Sequence, residues 1–225
     1  MRWWFAVVLG CSSPAPAPVE APVEPNAPVM AKGRKATPSA GRRGPDPLTV
    51  TPYGTDPAHP CPDCDRCKVS KVTASATRDA HVTETYEAAH LIDGNPSSAW
   101  CAETDDEGRL PSLTFSVPAG CRMQGMRILG GHFGDRTRLQ KNGRVSELSL
   151  TAGRLRGAAE VEDPVGMKPN LRQMIDKPAV LYAGWSAYAI DTLTVQLRHI
   201  HAGSVHPGVC LSELSPILSG TPLAP

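Results

Sequence analysis

The chain has 225 residues, including 23 prolines and 20 glycines, and its formal charge at neutral pH is +1. Within residues 69–219, 15 lysines and arginines stand against 16 aspartates and glutamates, a net charge of −1. Binding to a phosphate backbone usually requires a clearly basic surface, so nucleic acid is not expected as a partner. The same stretch is long enough for one domain with a single hydrophobic core.

Residues 1–11 have the features of a bacterial lipoprotein signal peptide. Arg2 supplies a positive charge, seven apolar residues follow, and Val8-Leu9-Gly10-Cys11 resembles the lipobox, in which the cysteine is acylated. The apolar run is too short to span a bilayer. A cytosolic protein with a hydrophobic start is the alternative, but the Pro/Ala tract after Cys11 is typical of lipoprotein tethers. We therefore expect Cys11 to anchor the protein to a membrane of the bacterial cell envelope, on the periplasmic or surface side.

Residues 12–68 are expected to form a disordered, Pro/Ala-rich tether. Thirteen of the 23 prolines lie between Pro14 and Pro62, and few residues there are both large and apolar. Such a segment cannot bury enough surface to offset the entropy lost on ordering. The tether ends in a cysteine-rich segment, a domain occupies residues 69–219, and residues 220–225 form a short tail.

The cysteine-rich segment has two interpretations. Seven cysteines less an acylated Cys11 leave six, and an even number in an oxidising compartment favours disulfides, with the pairing left open at this point. The alternative is a zinc or cluster site made by His59, Cys61, Cys64 and Cys67. The compact spacing and the prolines between these residues disfavour the metal, so disulfides are the prediction.

Alternating apolar and polar residues predict several short strands. Leu113, Phe115 and Val117 alternate with polar residues in the period-two pattern of a half-buried strand. The other apolar positions of this kind are Met126 and Ile128, Leu148 and Leu150, Leu193, Val195 and Leu197, and finally Leu211, Leu214 and Ile217. Short strands separated by Gly/Pro turns predict an all-β antiparallel jelly-roll sandwich rather than a parallel α/β sheet.

The stretch from Glu87 to Cys101 reads E-A-A-H-L-I-D-G-N-P-S-S-A-W-C. Its centre, D-G-N-P, is a strong turn signal, in which Gly94 tolerates a positive φ and the proline blocks a helix. Trp100 is expected to enter the core. Residues 88–100 match A-x-x-x-[IF]-D-G-x-x-x-[ST]-x-W and thereby resemble discoidin-like domains, the factor V and VIII C-domain group.

Three further motifs sharpen this resemblance. Gly130 to Phe133 together with Lys141 to Leu148, then Ala99-Trp100-Cys101, and finally Cys210 to Leu214 are similar to segments of the NADase-type glycan-binding domain, a discoidin-like subgroup. The resemblance implies a discoidin-like sandwich, without the NAD-cleaving domain. It also implies a disulfide between Cys101 and Cys210, since these cysteines lie in two of the motifs. The cysteines that remain to pair among themselves are Cys61, Cys64, Cys67 and Cys121.

Related galactose-binding-like modules hold a structural calcium ion at the D-G turn. Carried onto this sequence, the ligand set implied by the resemblance is Asp93, Asn95, Ser98 and Glu213. Such hard oxygen ligands suit Ca²⁺. The alternative is that Asp93 caps the turn by accepting from backbone N–H groups, while Glu213 makes a surface salt bridge.

The resemblance also implies a glycan ligand, such as a cell-wall or surface polysaccharide, bound on loops that a rigid sheet supports. There an aromatic ring stacks on a sugar while polar groups bond its hydroxyls. The candidates lie in loop-like or strand-end segments: His132, Phe133, Tyr182, Trp185 and Tyr188. Each could equally be a packing residue.

Three histidines near the end of the chain are interpreted as rim residues rather than metal ligands. His199 and His201 continue the phase of Val195 and Leu197 on the core side, and His206 follows in a loop. The strand is therefore expected to bulge or end there, with the imidazoles satisfied by backbone groups.

No motif in the sequence demands an enzyme, since G-x-S-x-G, H-E-x-x-H and G-x-x-x-x-G-K are all absent. Together with the resemblance, this favours a non-catalytic carbohydrate-binding domain on a lipoprotein, with no cofactor required. The alternative is a structural or adaptor lipoprotein that binds a protein partner through the same sandwich. A third hypothesis, a hydrolase, would require a polar cleft with convergent titratable groups.

Overall fold

The computed structural model describes residues 46–55, 67–80, 84–185 and 188–220. The strands are β1 Asp46–Pro47, β2 Thr49–Thr51, β3 Lys71–Ala74, β4 Trp100–Ala102, β5 Ser112–Ser116, β6 Arg122–Leu129, β7 Gly143–Ala152, β8 Leu155–Glu160, β9 Ala179–Tyr182, β10 Thr192–His201, β11 Val209–Leu211 and β12 Glu213–Ser219. The helices are the 3-10 helix Ala88–Ile92 and the α-helices α1 Arg136–Lys141 and α2 Leu171–Asp176. None of these described helices is both long enough and apolar enough to cross a membrane.

The strands form two sheets. The larger has the order β1-β8-β7-β10-β5-β3, with β11 joined to β7 and β4 joined to β11, and the smaller has the order β12-β6-β9-β2. Neighbouring strands are antiparallel except for the pairs β1 with β8 and β11 with β7, which are parallel. The predicted all-β, discoidin-like sandwich is confirmed.

The predicted alternation is what fills the core. On β5, Leu113 and Phe115 are fully buried while Thr114 between them is partly exposed. Leu113 pairs in register with Val195 of β10, and Val195 pairs with Leu150 of β7, so apolar side chains on three strands face the same side. Trp100 is also fully buried, as predicted, and its indole N–H donates to Ala76 O and Thr77 Oγ1 at 3.2 Å each. The buried indole therefore has the acceptors it needs.

Two disulfides lie within the described residues. Cys101 and Cys210 are bonded where β4 and β11 pair in register, as the resemblance implied. Cys67 is bonded to Cys121, the residue before β6. The four-ligand metal alternative is wrong, because Cys67 is already in a disulfide. His59, Cys61 and Cys64 lie outside the described residues, as does Cys11, the predicted site of lipidation.

Residues 46–55 belong to the folded domain, which corrects the predicted tether for this segment. β1 pairs with β8 at the edge of the larger sheet, and β2 pairs with β9 at the edge of the smaller one. Tyr53, just after β2, is 2 % exposed. The segment escaped prediction because its strands are too short for a periodic signal and β1 contains Pro47, which an edge strand tolerates. Residues 12–45, 56–66 and 221–225 lie outside the described residues.

Candidate functional site

One end of the sandwich carries a polar cleft of about 340 Å³. The loop before the 3-10 helix, the D-G-N-P turn, the segment after β6 and helix α1 all contribute to it. Its lining residues are Glu84, Thr85, Tyr86, His90, Asn95, Ser97, Ser98, Ala99, His132 and Arg138. We refer to it as the rim cleft.

The centre of the rim cleft is the carboxylate of Glu84. Its Oε1 lies 2.5 Å from Nη2 of Arg138, and its Oε2 accepts a hydrogen bond of 2.9 Å from the Tyr86 hydroxyl. Burial, followed by this bond to Glu84, raises the pKa of Tyr86, so its phenol stays protonated. The three side chains thus form a network in which acceptor and donors are already oriented.

Helix α1 places Arg138. Asp135 caps the helix by accepting from the Arg138 N–H at 2.7 Å, and its other carboxylate oxygen lies 3.3 Å from Arg138 Nε. At the other end, the Asn142 side chain donates to Arg138 O at 2.9 Å. Because a capped single turn fixes the backbone of Arg138, its guanidinium is held between Glu84 and Asp135.

His132 forms one wall of the rim cleft and is only 3 % exposed. Burial, and then the neighbouring Arg138 guanidinium, lower the pKa of His132, so the imidazole is neutral at neutral pH. Nδ1 accepts from the Gly134 N–H at 3.3 Å, which leaves the proton on Nε2. That nitrogen lies 4.0 Å from Glu84 Oε2. His132 therefore offers the cleft a neutral N–H donor.

The D-G-N-P turn is closed by its own hydrogen bonds. Asp93 accepts from the Asn95 N–H at 2.8 Å and from the Ser98 hydroxyl at 2.7 Å, while the Asn95 side chain accepts from the Ser97 N–H at 3.1 Å. Gly94 has a φ of +70°, as the turn requires. This is the capping arrangement that stood as the alternative to a calcium site.

In the structure the implied calcium ligands are engaged in other hydrogen bonds. Both carboxylate oxygens of Asp93 already accept hydrogen bonds, and Glu213 accepts one from the Ser215 hydroxyl at 2.7 Å. Across the described residues there is no group of three or more His, Cys, Asp or Glu side chains that could hold a metal.

Of the five candidate ligand residues, the structure brings only His132 into the rim cleft. Phe133 is 1 % exposed and packs 6.0 Å from the Tyr53 ring, and Trp185 is 6 % exposed, so packing accounts for both. Tyr182 is half-buried on β9 of the smaller sheet. Tyr188 is 57 % exposed but lies near the start of β6, since Ala189 bridges to Arg122 there.

Glu84, Tyr86 and Arg138 are the cleft residues that the sequence interpretation missed. The first two directly precede the motif at residues 88–100, and Arg138 precedes the K-N-G-R-V motif by three residues. Polar residues just outside the family motifs, at a helix cap or a loop end, were the available signal. The spacing of these three residues in the sequence gave no indication that their side chains are in contact.

His199 and His201, together with Tyr53, line a second groove of about 570 Å³ that shares no lining residue with the rim cleft. The register of β10 shifts on both sides of His199, which confirms the predicted bulge. His199 Nε2 lies 3.5 Å from Glu147 Oε2, and the His201 ring nitrogen lies 3.2 Å from Val161 O. A backbone carbonyl thus satisfies His201, as expected. His206 is exposed in the loop that follows.

Arg144, in the K-N-G-R-V motif, has a structural role beside the rim cleft. It is buried, donates to both oxygens of Asp163 at 2.7 and 3.1 Å, and also donates to Leu139 O, Asn142 O and Ala202 O. Burial raises the pKa of Asp163, but hydrogen bonds from Arg144 and the Val165 N–H together outweigh burial and lower it. This one side chain joins helix α1, β7 and the loop after β10.

The fold and the polar end loops define a discoidin-like β-sandwich domain. The family model described as the NAD glycohydrolase translocation F5/8 type C domain matches residues 64–215, and the chain belongs to this family. No individually curated protein sequence matches the chain.

Several solved structures share the fold at low sequence identity. The CBM32-1 and CBM32-2 domains of Clostridium perfringens ZmpB match with a TM-score of 0.50 and 10% identity, covering 80% of this chain and 42% of that one. The same domains in complex with GalNAc match with a TM-score of 0.51 and 11% identity, covering 80% and 40%. CpGH89CBM32-5 from the same organism, in complex with GalNAc-β-1,3-galactose, gives 0.46 and 16%, covering 69% and 97%. The chain spans about two fifths of the length of the two ZmpB chains.

Proposed function

We propose that this discoidin-like domain binds carbohydrate in the rim cleft and does so without catalysis. The observation that carries the proposal is the pre-oriented network of Glu84, Arg138 and Tyr86 beside the neutral His132. Its support from relatives is the shared fold with carbohydrate-binding modules, one of which is described in complex with GalNAc.

The chemistry of the rim cleft suits a neutral, hydroxyl-rich ligand. Each sugar hydroxyl can donate one hydrogen bond and accept others, so a sugar site needs both donors and acceptors. The guanidinium of Arg138 and the imidazole Nε2–H of His132 are donors, while Glu84 is an acceptor and the turn adds Asn95 and Ser97. The charges of Glu84 and Arg138 offset each other. A volume of about 340 Å³ suits the end of a glycan chain better than a long segment of one.

Binding accounts for the lining better than hydrolysis does. Glycoside hydrolysis generally uses two carboxyl groups that flank the scissile bond. Among the described lining residues of the rim cleft, Glu84 is the only carboxylate, and it already accepts from Arg138 and Tyr86. Three titratable side chains of the cleft, Glu84, Tyr86 and Arg138, are bonded to one another, an arrangement that orients hydrogen-bond donors toward a ligand.

A glycan array followed by calorimetric titration tests the binding proposal, with N-acetylgalactosamine as the first soluble probe. Arg138→Met should weaken binding about tenfold or more, since a charge-assisted hydrogen bond contributes about 1.5–3 kcal/mol. Arg136→Met is the matched control, because Arg136 lies exposed on the same helix and does not line the cleft. No binding by the wild type, together with capture of a defined protein partner, would favour the adaptor alternative instead.

We further propose that acylated Cys11 anchors this domain to a membrane of the bacterial cell envelope. The support is the sequence V-L-G-C after a short apolar run, followed by the Pro/Ala-rich stretch. Metabolic labelling with a clickable palmitate should modify the wild-type protein and leave Cys11→Ala unlabelled. Equal labelling of both forms, or labelling of neither, would contradict the anchor.

A further inference from the structure

Residues 46–55, which we call the strap, precede residue 64, where the match to the family begins. The strap nevertheless joins an edge of each sheet, through β1 on β8 and β2 on β9. Between the two strands, Leu48 packs over Gly157, where an added Cβ would collide with the Leu48 side chain. The Leu48 N–H donates to Ala158 O at 2.8 Å. The strap is therefore an integral part of the fold, although it precedes the residues that the family model matches.

Near its end the strap carries Tyr53, which contacts the segment that follows β6 and also lines the groove of His199 and His201. The Gly130 N–H donates to the Tyr53 hydroxyl oxygen at 2.9 Å in a buried position. The ring of Tyr53 lies 6.0 Å from that of Phe133. Tyr53 thus contacts both ends of the four-residue segment 130–133. The residue that this segment presents to the cleft is His132.

The same segment is linked to the D-G-N-P turn. The Phe133 N–H donates to the Ser212 hydroxyl oxygen at 2.8 Å, and that hydroxyl donates to Pro96 O at 3.0 Å. The Ser212 N–H is shared between Leu129 O at 3.0 Å and Gly131 O at 2.8 Å. Buried contacts therefore run without a gap from the strap to two walls of the rim cleft.

We propose that Tyr53 is a positioning residue for the rim cleft, so that ligand affinity depends on a strap that precedes the residues matched by the family model. The inference rests on the proposed function of the cleft. Without the hydroxyl, the buried Gly130 N–H loses its acceptor, so the start of the segment 130–133 is held less firmly while Ser212 still holds its end. A shift there moves His132 Nε2 relative to Glu84, which changes the donor geometry that a sugar meets.

Tyr53→Phe in the full chain tests this inference, because it removes the hydroxyl and keeps the ring. We expect N-acetylgalactosamine to bind about fivefold more weakly, the effect of about one neutral hydrogen bond. The imidazole NMR signals of His132, assigned by their loss in His132→Gln, should shift in the Tyr53→Phe protein without ligand. Unchanged affinity together with unchanged His132 signals in a folded Tyr53→Phe protein would overturn the inference.

Ile190→Ala is the control for a general loss of stability. Ile190 is buried and its N–H donates to Cys121 O, at the opposite end of the eight-residue strand β6 from Gly130. The Ile190→Ala substitution should lower the unfolding midpoint but leave the sugar affinity and the His132 signals unchanged. A loss of affinity equal to that of Tyr53→Phe would overturn the inference. If the wild type binds no sugar, the proposed function fails and the His132 signals alone decide. A shift in Tyr53→Phe then supports positioning, and no shift rejects it.

Discussion

Replacing Arg144 by methionine should strongly destabilise the domain. Methionine keeps much of the aliphatic volume but removes every donor that Arg144 supplies to Asp163 and to three backbone carbonyls. Asp163 is 30 % exposed and can be solvated without its partner, so the main cost comes from Leu139 O and Asn142 O, buried acceptors that lose a charged donor at about 1–3 kcal/mol. We expect a loss in this range in the free energy of unfolding, measured by urea titration with an unchanged m-value.

The pH dependence of the same variant gives a second readout. The pKa of Asp163 is lowered in the folded protein, so its contribution to stability is full above its unfolded value of about 3.9. The contribution is lost as the pH falls through the lower folded value. The Arg144→Met protein should lose less stability over this acid range than the wild type does.

Arg198→Met is the matched control, since Arg198 is exposed on β10 and donates only to Ser149 Oγ among the described residues. Its cost should stay within about 0.5 kcal/mol. A double-mutant cycle with Asp163→Asn should show a coupling of about 1 kcal/mol or more. If Arg144→Met costs no more than Arg198→Met, the argument that the buried Arg144 holds helix α1 in place is refuted.

Three further outcomes are expected. EDTA should leave both the unfolding midpoint and the sugar affinity unchanged, because Asp93 closes its turn by accepting from N–H and O–H donors. A decrease of either quantity on chelation would support the calcium site instead. Cys101→Ser with Cys210→Ser should cost about 4–5 kcal/mol in the chain-entropy account of a loop of 109 residues, and a cost under about 1 kcal/mol in urea titration would contradict that account. Ser212→Ala should lower the free energy of unfolding by about 2–4 kcal/mol, because it leaves the buried Phe133 N–H and Pro96 O without their partner. The control Ser215→Ala should lower it by less than about 1 kcal/mol. Equal losses would contradict the role given to Ser212.

Local patterns predicted the sandwich well, for a physical reason. On β5 and β10 one face of each strand is buried, and period-two alternation is the direct imprint of that geometry. The Asp93–Pro96 turn was predicted equally well, since its conformation is set by its own residues. The bond between Cys101 and Cys210 came from family motifs and not from spacing.

The site and the strap were harder to predict because they depend on tertiary contacts. Glu84 and Arg138 lie far apart in the sequence, and no local pattern around either residue indicates that the two side chains are in contact. Tyr53 sits in a proline-rich stretch, and its partners follow about 80 residues later. Phe133 and Trp185 show the converse error. An aromatic residue near a strand end gives the same signal whether its ring enters the core or faces a ligand.

The central claim is that sugar binds in the rim cleft, and NMR mapping of a sugar titration tests it most directly. With ¹⁵N-labelled protein and N-acetylgalactosamine, or the best glycan from an array, the largest shifts should fall on Glu84, Asn95, His132 and Arg138. Shifts centred on the groove around His199 and His201, or no saturable shifts with any glycan, would contradict the claim.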